Sequence, residues 1–174
     1  MKLNNLIFTA LAGFSIILAG CQNNDENEQH YDNKLFISAS NFTKEILFKA
    51  GDTNVETGLS VAIAKPEEHD IKVTMSPAPE LLSTYKLAYY DETAVLLSEE
   101  HYSMPETSTT IKSGSIVSPE LPIEFINTGE LDIKTTYVLP VTIKSVEGIG
   151  VLQSAKTYYY AVSYTHLRAH ETCA

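Results

Sequence analysis

The chain has 174 residues, with 12 Lys and Arg against 22 Asp and Glu, a net charge of -10 at pH 7, 10 tyrosines and no tryptophan. So acidic a surface argues against a nucleic-acid partner, because backbone phosphates are held by Lys and Arg. The two cysteines, Cys21 and Cys173, stand near opposite ends of the chain, so the stretch between them has neither a disulfide nor a cysteine metal site. Its fold must rest on a hydrophobic core, which a domain of this length can supply.

Met1 to Leu18 carries Lys2 and then an apolar run from Leu6 to Leu18, interrupted by Thr9, Gly13 and Ser15. The run falls short of the roughly 20 residues that span a bilayer and fits the core of a signal peptide. Leu18-Ala19-Gly20-Cys21 closes it and resembles the lipobox of bacterial lipoproteins. The resemblance implies that residues 1–20 are a lipoprotein signal peptide cleaved off before Cys21 and that Cys21 is acylated, and two or more acyl chains anchor a protein stably where one is marginal. Residues 21–33 are polar and acidic, with Asp25, Glu26, Glu28 and Asp32, and read as a tether. Acidic residues after a lipidated cysteine also resemble the surface-export signal of Bacteroidota lipoproteins.

The opposite end is unusual. Val162 to Thr172 matches, residue for residue, the translation of a transposon-end adapter used in sequencing libraries, so residues 162–174 are expected to be foreign and the native chain to be interrupted near Ala161. Setting Lys2, Arg168 and Glu171 aside leaves 10 of the 12 basic and 21 of the 22 acidic residues, a net of -11.

Between the ends the pattern is one of short strands. Leu35 to Ile37 and Ile46 to Phe48 read as a first pair, followed by a turn at Gly51 to Asn54. Leu59, Val61 and Ile63 alternate with small or polar residues, and Ile71, Val73 and Met75 do so after a Lys65 to Glu68 turn. The period then changes to that of a helix: Pro79 suits a first helical position, and Leu81, Tyr85 and Tyr89 follow at four-residue spacing. Asp91-Glu92-Thr93 ends it, and Val95 to Leu97 leads through Glu99-Glu100-His101 to Tyr102 and Pro105. Thr107 to Ile111 is β-branched, Ser113-Gly114-Ser115 turns, and Leu121, Ile123 and Phe125 alternate around Pro122, a mark of an edge strand or a strand start. After a turn at Asn127 to Glu130, Tyr137, Leu139, Val141 and Ile143 give the cleanest alternation, with Val138, Pro140, Thr142 and Lys144 opposite. A loop with Gly148 and Gly150 leads to a last strand around Tyr158 to Tyr160. Seven or eight such strands predict an all-β fold, an immunoglobulin-like antiparallel β-sandwich with one short helical insert, over residues 34–161.

Asp70 to Thr74, the Pro79 to Tyr89 helix, Leu96 to Pro105, the Ser113 to Ser115 turn, Tyr137 to Val141 and Lys156 to Tyr160, in that order and spacing, resemble the DUF1735 domain, the BT_3987-like N-terminal domain of Bacteroidota surface lipoproteins. The resemblance covers nearly everything from Leu35 to Ala161. It implies an immunoglobulin-like module at the membrane-proximal end, often followed by a glycan-binding or glycoside hydrolase module, and it brings no catalytic residues with it.

Candidate sites are few. Adjacent residues of a strand face opposite ways, so Glu99 and Glu100 do not flank one bond as glycosidase carboxylates do, and Glu99-Glu100-His101 reads as a solvated turn. Asp52, Asn54 and Glu56 alternate as calcium ligands can but lack the glycine and the bidentate Glu of that loop, and Gly148-Ile149-Gly150 opens no helix. Among the tyrosines, Tyr85 and Tyr89 lie on the apolar helical face and read as core, which leaves Tyr90 and Tyr159 as the candidates for stacking on a glycan. The sequence therefore predicts a non-catalytic cell-surface lipoprotein module, a spacer or docking domain in glycan capture. It would be anchored in the outer membrane through Cys21, would need no cofactor or metal, and would have a glycan or a glycan-handling protein as partner. The alternative is the N-terminal domain of a truncated surface glycoside hydrolase.

Overall fold

The computed structural model describes residues 32–49 and 54–165. Twelve strands and one helix lie within them: β1 (Lys34–Ile37), β2 (Thr43–Lys49), β3 (Val55–Leu59), β4 (Val61–Ala62), β5 (Ile71–Pro77), α1 (Leu82–Tyr89), β6 (Val95–Leu96), β7 (Tyr102–Ser103), β8 (Ser108–Ile111), β9 (Leu121–Phe125), β10 (Tyr137–Val146), β11 (Gly150–Val151) and β12 (Thr157–Thr165). The strands beyond the expected seven or eight include β4, β6, β7 and β11, each of two residues, too short to show a period.

The largest sheet has the order β2-β12-β10-β5-β8, with β6 also on β10. Two smaller sheets, β11-β1-β4 and β3-β9-β7, complete the sandwich. Antiparallel ladders predominate, but β1 with β11, β6 with β10 and β2 with β12 run parallel. Leu59, Val61, Ile71, Val73, Leu139 and Val141 all enter one core, together with Phe48, Phe125 and Tyr160. Phe125 meets Phe48 edge-on at 6.4 Å and Tyr160 at 5.6 Å, so rings from two sheets close the interior. Such pairs add about 0.5–1.5 kcal/mol each beyond their buried area.

The run Leu59-Val61-Ile63 is not one strand. β3 ends at Leu59 on β9, and β4 begins at Val61 on β1, so the chain changes sheets at Ser60. The alternation survives the change because all three apolar side chains still point into the common core. Asn33, the last residue of the expected tether, is tied to the fold: its Oδ1 accepts from the N–H groups of Ala64 and Lys65, and its Nδ2 donates to the Lys65 carbonyl and the Glu67 carboxylate.

Proline in mid-strand usually removes a ladder hydrogen bond. In β10 the carbonyls of Val138 and Pro140 accept from the N–H groups of Leu97 and Ala78, so these residues turn their backbones toward β6 and β5. Pro140 stands where the neighbour of β10 changes from β6, paired at Tyr137 and Val138, to β5, paired from Val141 on, and its missing donor falls in that gap. The chain between β5 and β6 forms the expected helix. Pro79 begins it in a 3-10 turn over Pro79–Leu81, and α1 follows.

α1 packs on the outer face of the main sheet. Residues 139, 141 and 143 of β10 face the main core, while Val138 faces the helix and joins Tyr85, Ala94, Tyr159 and Ala161 in a second apolar cluster. β12 is therefore buried on both faces, Tyr158, Tyr160 and Val162 inward and Tyr159 and Ala161 beneath the helix. The strand continues past Ala161, and Val162, the first residue of the adapter-like stretch, fills a core position.

Candidate functional site

Among the hollows on the surface of the described residues, three bear on function. One of about 420 Å³ sits at the gap between β5 and β6 and is lined mainly by prolines and leucines, together with Ser98, Glu99 and Tyr102. One of about 460 Å³ is bordered by Glu56, Thr57, Gly58, Glu120 and Pro122, without an aromatic ring. The third, about 280 Å³, lies between α1 and the outer face of β2 and β12 and is lined by Thr43, Glu45, Tyr85, Tyr89, Asp91, Thr136, Ala161 and Ser163.

The third hollow follows from strand register. β2 runs beside β12 with Thr43 next to Tyr159 and Glu45 next to Ala161, and Ala161 in turn lies beside Val138 of β10. Ile46 and Phe48 face the core, so Thr43 and Glu45 project to the helix side by the two-residue period. The small Ala161 side chain, next to the bulky Tyr159, leaves a floor. Tyr85 and Tyr89, one helical turn apart, form a wall with ring centroids 4.7 Å apart, and Tyr159 lies 5.4 Å from Tyr85 and 6.0 Å from Tyr89. Tyr85 is buried, whereas Tyr89 keeps 38% of its surface exposed.

α1 ends at Tyr90, whose N–H still bonds to the Lys86 carbonyl and whose left-handed backbone (φ 55°) lets the Asp91 N–H reach the same carbonyl at 3.2 Å, which brings Asp91 to the hollow. One carboxylate oxygen of Asp91 accepts from the N–H and hydroxyl of Thr93, which fixes the side chain. Burial first, then the charge of Asp91, Tyr89 and the charge of Glu45, push the Tyr85 hydroxyl above its ordinary value. At neutral pH it keeps its proton and remains a donor.

The expected site residues part company here. Tyr90 is 92% exposed, so its ring is open to solvent. Tyr159 is 7% exposed, and the expectation that it stacks on a glycan is corrected: its ring is covered by Tyr85 and Tyr89, because the outer face of β12 is roofed by the helix. Glu99-Glu100-His101 is a turn, of 3-10 form, with Glu99 and Glu100 exposed, but His101 is buried rather than solvated. Its Nδ1 lies 3.1 Å from the Asn127 carbonyl oxygen, and Asn127 donates from its side-chain amide to the Glu100 carbonyl, so the pair locks two turns together. Cys21 lies outside the described residues, as does Asp52 of the Asp52-Asn54-Glu56 alternation. Gly148 takes a left-handed conformation (φ 80°) in the loop before β11. Sequence reasoning missed Thr43, Glu45, Asp91 and Thr136; a small alanine directly after three tyrosines was the one visible sign of a hollow.

No curated protein matches the chain. Among solved structures, a candidate carbohydrate binding protein from Bacteroides ovatus shares the fold with a TM-score of 0.63 at 20% identity, over 75% of this chain and 36% of that one. EndoBT-3987 of Bacteroides thetaiotaomicron, solved with a Man5GlcNAc product, gives a TM-score of 0.59 at 17% identity over 69% of this chain and 28% of that one. A multidomain Bacteroides ovatus protein that includes DUF1735 gives 0.51 at 17% identity over 78% and 45%. The chain thus spans less than half the length of each. A family model of an N-terminal domain matches residues 31–150, from just before β1 to the start of β11. With that match over more than half its length and this fold, the chain belongs to the DUF1735 family of N-terminal domains.

Proposed function

We propose that this domain is a non-catalytic module of a cell-surface lipoprotein, a spacer or docking element that holds a glycan-handling partner or domain away from the outer membrane. The observation that carries this reading is the recurrence of the fold as a minority portion of larger proteins, one described as carbohydrate binding and one solved with a glycan product. The signal-like segment and Cys21 support a lipid anchor ahead of it. The acid-base candidates give no support to catalysis: Glu99 and Glu100 sit on one exposed turn, and His101 is turned into the fold.

Two measurements test the proposal. Incubating the full chain with a panel of glycans should release no new reducing ends, and release by pure protein would overturn the non-catalytic reading. Metabolic labelling with palmitate in a Bacteroidota host should label the wild type and not Cys21→Ala, and equal labelling of both would overturn the anchor. The likeness to EndoBT-3987 favours a second reading, the N-terminal domain of a truncated surface glycoside hydrolase. The gene sequence past the Ala161 codon, read in untagged genomic DNA, separates the two: a downstream acidic catalytic motif supports the hydrolase, and an early stop rules it out.

A further inference from the structure

We propose that the hollow between α1 and the outer face of β2 and β12 is a binding subsite for a neutral pyranose ring, with Tyr89 as stacking platform and Glu45 and Asp91 as acceptors for the sugar hydroxyls. The inference rests on the reading that the module works in glycan capture, and it adds the place of contact and the class of sugar.

A pyranose presents a C–H face and a rim of hydroxyls. Its apolar face suits a tyrosine ring that is half open and rigidly backed, and Tyr89 is held from behind by Tyr85 and Tyr159. The hydroxyl rim needs acceptors and donors on one side of that ring. Ionised carboxylates are acceptors only, and they make stronger hydrogen bonds than neutral groups do. Glu45 comes from β2 and Asp91 from the end of α1, while Thr43, Thr136 and the protonated Tyr85 hydroxyl supply donors. At about 280 Å³ the hollow is near the lower end of small-molecule sites, roughly 300–1,000 Å³, which suits one ring rather than a long chain.

Charge sets the class. Two carboxylates at the rim, on a chain of net charge -10, oppose a uronate or another acidic sugar. Of the two hollows described beside it, one sets Tyr102 and a single carboxylate, Glu99, among prolines and leucines, and the other has no ring. The recognition groups all precede Val162, so they do not depend on the adapter-like stretch.

The test is saturation-transfer NMR on the full chain with separate neutral hexoses, uronic acids and a lysine-rich peptide, followed by titration of whatever binds. The expected result is binding of at least one neutral hexose, weakened about tenfold by Tyr89→Leu and by Glu45→Gln and unchanged by Tyr102→Leu, which lines a different hollow. Glu45→Gln changes an exposed side chain without altering its shape, so it stays informative if Tyr89→Leu impairs folding. Neutral-sugar binding that survives both variants overturns this site and leaves glycan capture standing. Preference for uronates or for the peptide overturns the sugar class. Absence of any binding overturns the subsite but not the spacer reading, which the reducing-end and labelling assays decide separately.

Discussion

Tyr85 of α1 and Tyr159 of β12 place their rings 5.4 Å apart, and this contact seats the helix on the outside of the main sheet. Tyr159→Ala removes a ring buried beneath the helix and should cost about 3 kcal/mol, in line with loss of a large core side chain. Tyr90→Ala, one residue past the helix and fully open, should stay within about 0.5 kcal/mol. Urea unfolding of the two variants checks the contrast, and equal midpoints would place Tyr159 outside the packed layer.

Tyr90 also carries a backbone cost. A non-glycine residue in the left-handed region pays roughly 1–2 kcal/mol, and a bulky one is uncommon there. Its side chain gains little in return at 92% exposure. Tyr90→Gly should therefore raise stability by up to about 1 kcal/mol, the gain being trimmed by the added freedom of glycine in the unfolded chain. Thermal unfolding reads the sign, and a lower Tm would show that the Tyr90 side chain makes a stabilising contact.

In the main core the Tyr160 hydroxyl is buried and has no hydrogen-bond partner among the described residues. Burial, with lesser contributions from Tyr158 and Glu120, pushes its pKa far above that of an ordinary tyrosine. An unpaired buried hydroxyl costs about 1–3 kcal/mol, so Tyr160→Phe should stabilise the protein by about 1 kcal/mol with the ring packing retained. Chemical denaturation checks it, and a loss of stability would mean that the hydroxyl is hydrogen-bonded.

These contrasts also show what the sequence could and could not reveal. Alternation identified the inward residues because a half-buried strand repeats every second position, and Val73, Val141 and Phe125 all lie in the core as that period requires. The same rule is silent about a strand covered on both sides. Tyr159 and Ala161 look like outward positions, and only the docking of α1 makes them interior. Nor can a local pattern see a change of sheet at Ser60, since the core-facing period continues across it. The hollow was hidden for a related reason: Glu45, Asp91 and Thr136 come from three separate elements and meet only through the β2 and β12 register.

Asp70 ties the start of β5 to the turn after β8. Its carboxylate accepts from the Lys112 ammonium at 2.8 Å and from the Ser113 N–H at 2.9 Å. The hydrogen bond from Lys112, then that from Ser113, hold its pKa below the usual 3.8. A lowered folded-state pKa means stability that is fully present above pH 3.8 and is lost as pH falls through the lower folded value. Asp70→Asn should therefore be less stable than wild type at neutral pH, with the difference narrowing in acid. The group is solvent-exposed, so added salt should shrink the difference too. A denaturation series from pH 7 to about pH 2 checks this, and a gap independent of pH would assign the effect to something other than the carboxylate charge.

The most direct test of the whole account joins the anchor to the function. Cells of a Bacteroidota host expressing the full chain, or its Cys21→Ala variant at equal total abundance, are washed after exposure to a panel of fluorescein-labelled neutral polysaccharides. The account predicts that at least one polysaccharide is retained by wild-type cells above the empty-vector level, and that retention returns to that level in the Cys21→Ala strain. Equal retention above the vector level by the two strains would contradict the anchor through Cys21, and retention of no polysaccharide by either strain would contradict the sugar subsite.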